Sequence, residues 1–406
     1  MAHLLGIRIQ RYKSLGDVTL GQHEHNPAVE PLPSLACLIG PNGSGKSTLL
    51  DAFGFLSDCL RENVEAACDK THRGGFRKLR TQGEKAPMEF DLYYREDAKS
   101  RPITYSVAID ERDGTPIVAW ETLQQRRKGQ KHGRPYPFVK LNYGEGTAWS
   151  GESGPHAEGN ESIPVHLDDP RRLGITTLGQ LKEHPRILGL RAFIEGWYLS
   201  YFVPDLARTL PMAGAQKHLN RTGDNLANVL QYMERNKPEQ LRAALAKIAR
   251  RIPGISTIQS QVSPDGRLLI AFNERGYIDP FYASNMSDGT LKMFAYLLLL
   301  GDPEPAPFIG IEEPENGLYH KLLERLASEM KEHAGERQTN LLVTTHSPYF
   351  VDALAPEQVW LMQRGNDGRA VAKRAADFEH IRDLVNEGLP LGSLWYSNHF
   401  HERISV

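Results

Sequence analysis

Residues 40–47 read Gly40-Pro41-Asn42-Gly43-Ser44-Gly45-Lys46-Ser47. This octapeptide fits the phosphate-loop pattern G-x-x-x-x-G-K-[ST]. Glycines at 40, 43 and 45 allow backbone angles that turn several N–H groups toward one anion. Lys46 has the reach to meet β- and γ-phosphates, and Ser47 has a hydroxyl to offer Mg²⁺. Thr48 continues the loop into a helix whose N-terminal partial charge adds to the cradle.

Three further groups of residues suit the same chemistry. Ser287-Asp288-Gly289-Thr290 stands before the apolar run Leu291–Leu299. Small residues at a helix start offer free N–H groups and a hydroxyl to an anion. Phe308-Ile309-Gly310-Ile311-Glu312-Glu313-Pro314-Glu315 is an apolar run that ends in three carboxylates. Charges at the end of a buried strand are costly unless they have work to do. Glu312 can hold Mg²⁺ through water, and Glu313 can orient or deprotonate an attacking water. Leu341-Leu342-Val343-Thr344-Thr345 runs into His346-Ser347-Pro348. A histidine at such a strand end can reach a γ-phosphate and report its presence.

These groups need elements to carry them. Leu35–Ile39 reads as a buried strand leading into the loop, and Leu49–Phe53 as the helix leading out. Residues 5–15 read as an edge strand entering a turn, and residues 21–34 as a connecting loop. From 86 to 123 the pattern is β-like: Met88–Tyr94, Ile103–Ile109 and Ile117–Glu121, with an Asp113-Gly114 turn between the last two. Residues 126–175 are rich in Gly, Pro and His and read as irregular. Leu226, Val229, Leu230 and Met233 share one helical face, and Leu241, Ala244, Leu245 and Ile248 the next. Pro238 falls in the first turn of the second helix. Val262–Phe272 reads as a hairpin around Pro264-Asp265-Gly266.

In this order the motifs resemble an ATP-binding-cassette ATPase of the RecF/SMC/OLD type. Gly40–Ser47 resembles Walker A, Ser287-Asp288-Gly289 the signature motif, and Ile309–Glu313 Walker B with its catalytic glutamate. Glu315-Asn316-Gly317-Leu318 resembles the D-loop, and Thr345-His346-Ser347 the switch histidine. Ile9–Leu15 is similar to the family's I-x-x-Y/F-K-S-L entry strand. The sequence departs from the pattern in two places. Asp288 stands where transporters usually carry Gly, and no glutamine is evident for the Q-loop. Gln82 is the nearest candidate for that position and for its metal contact.

The resemblance implies an α/β P-loop NTPase of the ABC head type. That means a mixed sheet, an antiparallel β subdomain, a helical lobe and no long coiled coil. The expected divisions are 1–125 (Walker A and β subdomain), 126–222 (insertion), 223–285 (helical and hairpin segment) and 286–406 (signature through switch His). The resemblance also implies ATP and Mg²⁺ as ligands, and a head-to-tail homodimer in which each Walker A faces the partner's Ser287 and Gly289. Glu313, His346 and Lys46 would then serve hydrolysis, with Ser47 and Glu312 at the metal.

Composition narrows the function. The chain has 406 residues, is 40% apolar and 24% charged, and carries net charge −2. There is no global pull toward nucleic acid, although Arg126-Arg127-Lys128 and Lys131–Arg134 are local basic stretches. No apolar run approaches the ~20 residues of a membrane span. The N-terminus lacks a signal-peptide layout, and three cysteines without a C-x-x-C pair suggest a reducing compartment. A cytoplasmic protein is therefore expected. The segment after His346 shows no Glu…Asp-x-Asp arrangement of the Toprim nuclease that OLD relatives append. The expectation is an ATP-driven switch in DNA repair or antiphage defence, acting through a separate effector such as a nuclease or toxin, with DNA as a further possible partner. A transporter nucleotide-binding subunit is disfavoured by the long separation of Walker A from the signature and by Glu312 in place of the usual Asp. An SMC-like DNA clamp is disfavoured because no heptad run fills that separation.

Overall fold

A computed structural model of the chain describes residues 2–24, 26, 28–127, 134–149, 162–181, 184–214, 216–252, 254–337 and 339–400. Lys128, Lys131 and His132 lie outside the described residues. Fourteen strands form one sheet and three form a second. In chain order the strands are β1 (His3–Tyr12), β2 (Leu15–Gly21), β3 (Leu35–Ile39), β4 (Met88–Arg95), β5 (Ile103–Arg112), β6 (Thr115–Gln125), β7 (Tyr136–Asn142), β8 (Glu145–Trp149), β9 (Ser162–His166) and β10 (Tyr198–Ser200). They continue with β11 (Ile255–Val262), β12 (Leu268–Glu274), β13 (Phe281–Tyr282), β14 (Phe308–Glu312), β15 (Asn340–Thr344), β16 (Val359–Arg364) and β17 (Ala370–Arg374).

The large sheet runs β10-β14-β15-β3-β16-β17-β2-β1-β4-β5-β6-β7-β8-β9. From β10 to β16 every pairing is parallel. From β2 onward to β9 the pairing is antiparallel, as in a meander. Parallel strands covered on both faces need apolar residues throughout. The runs Leu35–Ile39 and Asn340–Thr344 are accordingly buried at every position. The mixed sheet, the antiparallel part and the helices match the expected α/β class, and no coiled coil appears among the described residues.

Two readings of the sequence need correction. β1 is not an edge strand, because it pairs with β2 on one side and β4 on the other. Its alternation arises from lying over a core on one face with half-exposed neighbours on the other, so pattern alone could not tell edge from interior. Residues 126–175 are not irregular where they are described. They add β7, β8 and β9 to the meander, and a short helix follows at Gly174–Leu178. Pro137, Pro164 and glycines 144 and 146 hid these strands, yet prolines and glycines are tolerated toward a sheet edge and in its turns.

The other elements read from the sequence lie as the spacing predicts. The β4–β6 strands and the Asp113-Gly114 turn are present, with φ of 52° and 80° in the turn. Helices Leu226–Asn236 and Pro238–Arg251 are separate, and the β11–β12 hairpin surrounds residues 264–266. Helix Asp288–Leu300 is almost wholly buried. It packs in one apolar cluster with the inward residues of Leu226–Asn236 and β12. No helix among the described residues is long and apolar enough to cross a membrane.

Candidate functional site

The site begins where β3 ends. β3 stops at Ile39, the loop turns through residues 40–45, and the helix Lys46–Arg61 starts. Gly40, Gly43 and Gly45 have φ of 144°, 76° and 104°. A Cβ at Gly40 would fall 2.1 Å from the Met362 carbonyl oxygen, and one at Gly45 would fall 2.9 Å from Ala370 Cβ. Both positions therefore exclude a side chain on conformation and on space. Arg364 Nε donates to the Gly43 carbonyl at 2.8 Å and steadies the outer turn. Lys46 is buried, and its Nζ donates to the Gly40 and Pro41 carbonyls at 2.8 and 3.1 Å. Burial lowers its pKa, against the pull of Glu313, Glu315 and Glu312. Ser44 Oγ is buried with no hydrogen-bond partner. A desolvated cation beside an orphaned hydroxyl, at the foot of a helix, suits a polyphosphate.

β14 and β15 run parallel to β3, so their carboxyl ends reach the same edge. Glu312 pairs in register with Thr344, and Thr345 N donates to the Leu38 carbonyl. Glu313 leaves the strand with φ 42°, in the left-handed region. A glutamate there carries strain that the surroundings must hold. Its N–H donates to the Thr344 carbonyl at 3.0 Å and meets Thr344 Oγ1 at 3.2 Å. Asn316 Nδ2 donates to Glu313 Oε2 at 2.9 Å, and His346 Nε2 lies 3.3 Å from Glu313 Oε1. The His346 N–H donates to Glu315 Oε1, while Glu315 Oε2 is buried without a partner. The loop after β14, through Asn316, and the loop after β15, through His346, thus meet at the Glu313 carboxylate and aim it off the sheet edge.

A cavity of about 410 Å³ opens beside Ser47 and Thr48 and has Glu312 in its wall. Other walls come from Lys13, Asp51, His72, Ser200, Tyr201 and Arg221. The Asp51 carboxylate accepts from Tyr12 Oη at 2.7 Å, Lys13 Nζ at 2.6 Å and Arg73 Nε at 3.0 Å. This ties the β1–β2 turn to the phosphate-loop helix. A second cavity of about 470 Å³ lies against Gly40, Pro41 and His346, with Trp395, Tyr396 and Phe400 opposite.

Among the described residues, no group of three or more His, Cys, Asp and Glu side chains is arranged to hold a metal. Mg²⁺ at a phosphate loop does not require one, because substrate phosphates and water complete its shell. Ser47 and Glu312, facing one cavity, fit that role. Mg²⁺ bound there would neutralise charge on the phosphate oxygens during transfer.

Gln82 is not brought to the site. It is exposed in the turn after the Tyr12–Arg80 bridge and does not line the cavity beside Ser47 and Glu312. β10, which sequence reading did not detect, supplies the wall instead. It has only three residues, and Ser200 pairs beside Ile311. A three-residue strand gives too short a period to read. Lys13 lay within the entry motif and could have been found; Arg73 and Arg221 carried no signal.

Ser287, Asp288 and Gly289 stand at the start of helix Asp288–Leu300. Ser287 Oγ caps it by accepting from Thr290 N at 3.2 Å. A Cβ at Gly289 would fall 2.7 Å from the Gly317 carbonyl oxygen, so this helix start packs directly on the loop after Glu313.

The comparisons accord with this geometry. A model of the family described as "AAA domain, putative AbiEii toxin, Type IV TA system" matches residues 35–352. No curated protein matches the chain. Among solved structures, an SMC head bound to the C-terminal winged-helix domain of ScpA is similar at 16% identity and a TM-score of 0.54. That match covers 91% of this chain and 97% of the other. An SMC head with an extended coiled coil, bound to the C-terminal domain of ScpA and derived from Pyrococcus furiosus, is similar at 15% identity and a TM-score of 0.52. It covers 95% of this chain and 100% of the other. The fold is that of an SMC head domain.

Proposed function

The chain belongs to that AAA-domain family, and from this premise we propose that it binds and hydrolyses ATP with Mg²⁺ as a molecular switch. The observation that carries the reading is the Glu313 carboxylate, held by Asn316 and His346 at the strand end beside the Lys46 loop. Lys46 turns from its own loop carbonyls to the β- and γ-phosphates, which repay its burial with charge. Residues 40–48, Pro41 excepted, supply N–H groups, and Ser47 and Glu312 would hold the metal. Glu313 takes a proton from water as that water attacks the γ-phosphorus. The bond from the γ-phosphorus to the bridging oxygen breaks, giving ADP and phosphate. His346 reports whether the γ-phosphate is present.

The switch works through assembly. Two copies meet head to tail, and each phosphate loop faces the partner's Ser287 and Gly289 across ATP. The γ-phosphate joins two polar surfaces by charge-assisted hydrogen bonds, and hydrolysis removes several at once. We place the output in DNA repair or antiphage defence, with a separate nuclease or toxin as effector.

Size exclusion of Glu313→Gln with and without ATP is the test. The variant should bind ATP, lose about 10²–10⁴-fold in turnover, and run as a dimer only with ATP. Wild-type turnover would remove Glu313 from its role, and a monomer at saturating ATP would remove the dimer. Stimulation of turnover by duplex DNA would support a DNA-directed output; its absence would point to a protein partner.

A further inference from the structure

Asp288 poses an electrostatic problem at the signature position. A carboxylate in the first turn of a helix is favourable for the helix itself. It also occupies the end where an incoming phosphate would be received, and it repels that phosphate. The side chain is 56% exposed, so the charge is presented to whatever docks there.

The fold answers with Arg208. Its Nη2 donates to Asp288 Oδ1 at 2.5 Å and to the Met286 carbonyl at 2.8 Å. Its Nη1 donates to Asp205 Oδ1 at 2.6 Å. The Arg208 side chain is 21% exposed and caps the C-terminus of the short helix Pro204–Ala207, remote in sequence. Three contacts fix one fork, which is the geometry guanidinium provides and ammonium does not. The Met286 bond also anchors the residue just before the Ser287 cap.

We propose that Arg208 is a positioning residue of the composite site, neutralising Asp288 so that the helix start receives a partner's γ-phosphate. This rests on the head-to-tail reading above. Arg208 does not touch nucleotide in this account; it acts through Asp288.

The double-mutant cycle on the full-length Glu313→Gln chain tests it, with ATP-dependent dimerisation as readout. Arg208→Ala should weaken dimerisation roughly tenfold or more at low salt, because one member of a hydrogen-bonded charge pair is left alone at an interface. The defect should shrink as salt rises, since screening relieves exposed repulsion but does not mend a misplaced turn. Asp288→Gly alone should dimerise at least as well as the parent. Arg208→Ala with Asp288→Gly should recover most of the loss, and Arg208→Lys should recover part of it. ATP affinity of each monomer should be unchanged, because the change lies on the opposite face of the composite site. Equal defects in the single Arg208→Ala and the double variant, with no salt dependence, would overturn the inference. A Glu313→Gln parent that stays monomeric is a different result, since it defeats the dimer reading before Arg208 is changed. If Arg208→Ala fails to fold, Asp288→Asn in place of Asp288→Gly closes the cycle with Arg208→Lys, and a loss with Arg208→Lys that Asp288→Asn does not relieve overturns it equally.

Discussion

At the scale of single residues, three carboxyl groups show how surroundings decide what one chemistry does. Burial would push Asp51 up, but Arg73, Lys13 and Tyr12 pull it down to about 2. Glu313 keeps its carboxylate aimed outward by Asn316 and His346, on a backbone at φ 42°. Glu121 is fully buried, and desolvation raises it to about 7 despite bonds from Ile175 N, Gly174 N and Tyr105 Oη. The unfolded chain releases the Glu121 proton near 4.5, and the folded chain holds it to about 7. Between those values the native state binds more protons, so stability falls as pH rises across this window. Glu121→Gln keeps the shape and one acceptor but cannot ionise. The variant should flatten the decline in melting temperature between about pH 4.5 and 7 that the wild type shows. Parallel declines in both proteins would mean that Glu121 does not carry the effect.

At the scale of elements, the start of helix Asp288–Leu300 meets the loop after Glu313 with no room to spare. Gly289 sits where alanine would be the better helix former, by roughly 1 kcal/mol. A Cβ there would meet the Gly317 carbonyl oxygen at 2.7 Å, and that oxygen is backbone. Gly317 is itself at φ 80°, so its own replacement would strain the loop. Gly289→Ala should therefore destabilise by about 1–3 kcal/mol and reduce turnover, because the displaced loop carries Asn316 and Glu315. A melting temperature raised by the substitution would show that propensity outweighs the contact. This contact was not legible in the sequence, since it joins residues that no pattern links. What was legible was local: the glycines of 40–45, the apolar runs before Gly40 and Glu312, and the Pro238 break between two helical faces. The short β10, the interior place of β1 and the strands of the 126–175 stretch were not. Each depends on which neighbour a strand finds, and neighbours are set by tertiary pairing. Arg208 belongs with them, because nothing in residues 204–208 names Asp288 as a partner.

At the scale of the whole molecule, β3 divides the core. Ala36 and Leu38 face the cluster that holds the meander and the phosphate-loop helix. Leu35, Cys37 and Ile39 face the cluster that holds the Asp288–Leu300 and Leu226–Asn236 helices. β15 is divided in the same way, with Leu342 on one side and Leu341 and Val343 on the other. A nucleotide at the end of β3 is therefore held by a loop rooted in both cores. Binding only the native state stabilises by about 2.7 kcal/mol at a hundredfold excess over Kd. Because the bound loop is shared, that free energy should act on both clusters as one cooperative unit. Calorimetry of the full chain should show one transition that moves up by a few degrees with ADP and Mg²⁺. Lys46→Ala should abolish the shift, since it removes the cation of the cradle. Two transitions, of which nucleotide moves only the earlier or the later, would show that the sheet does not couple the two cores.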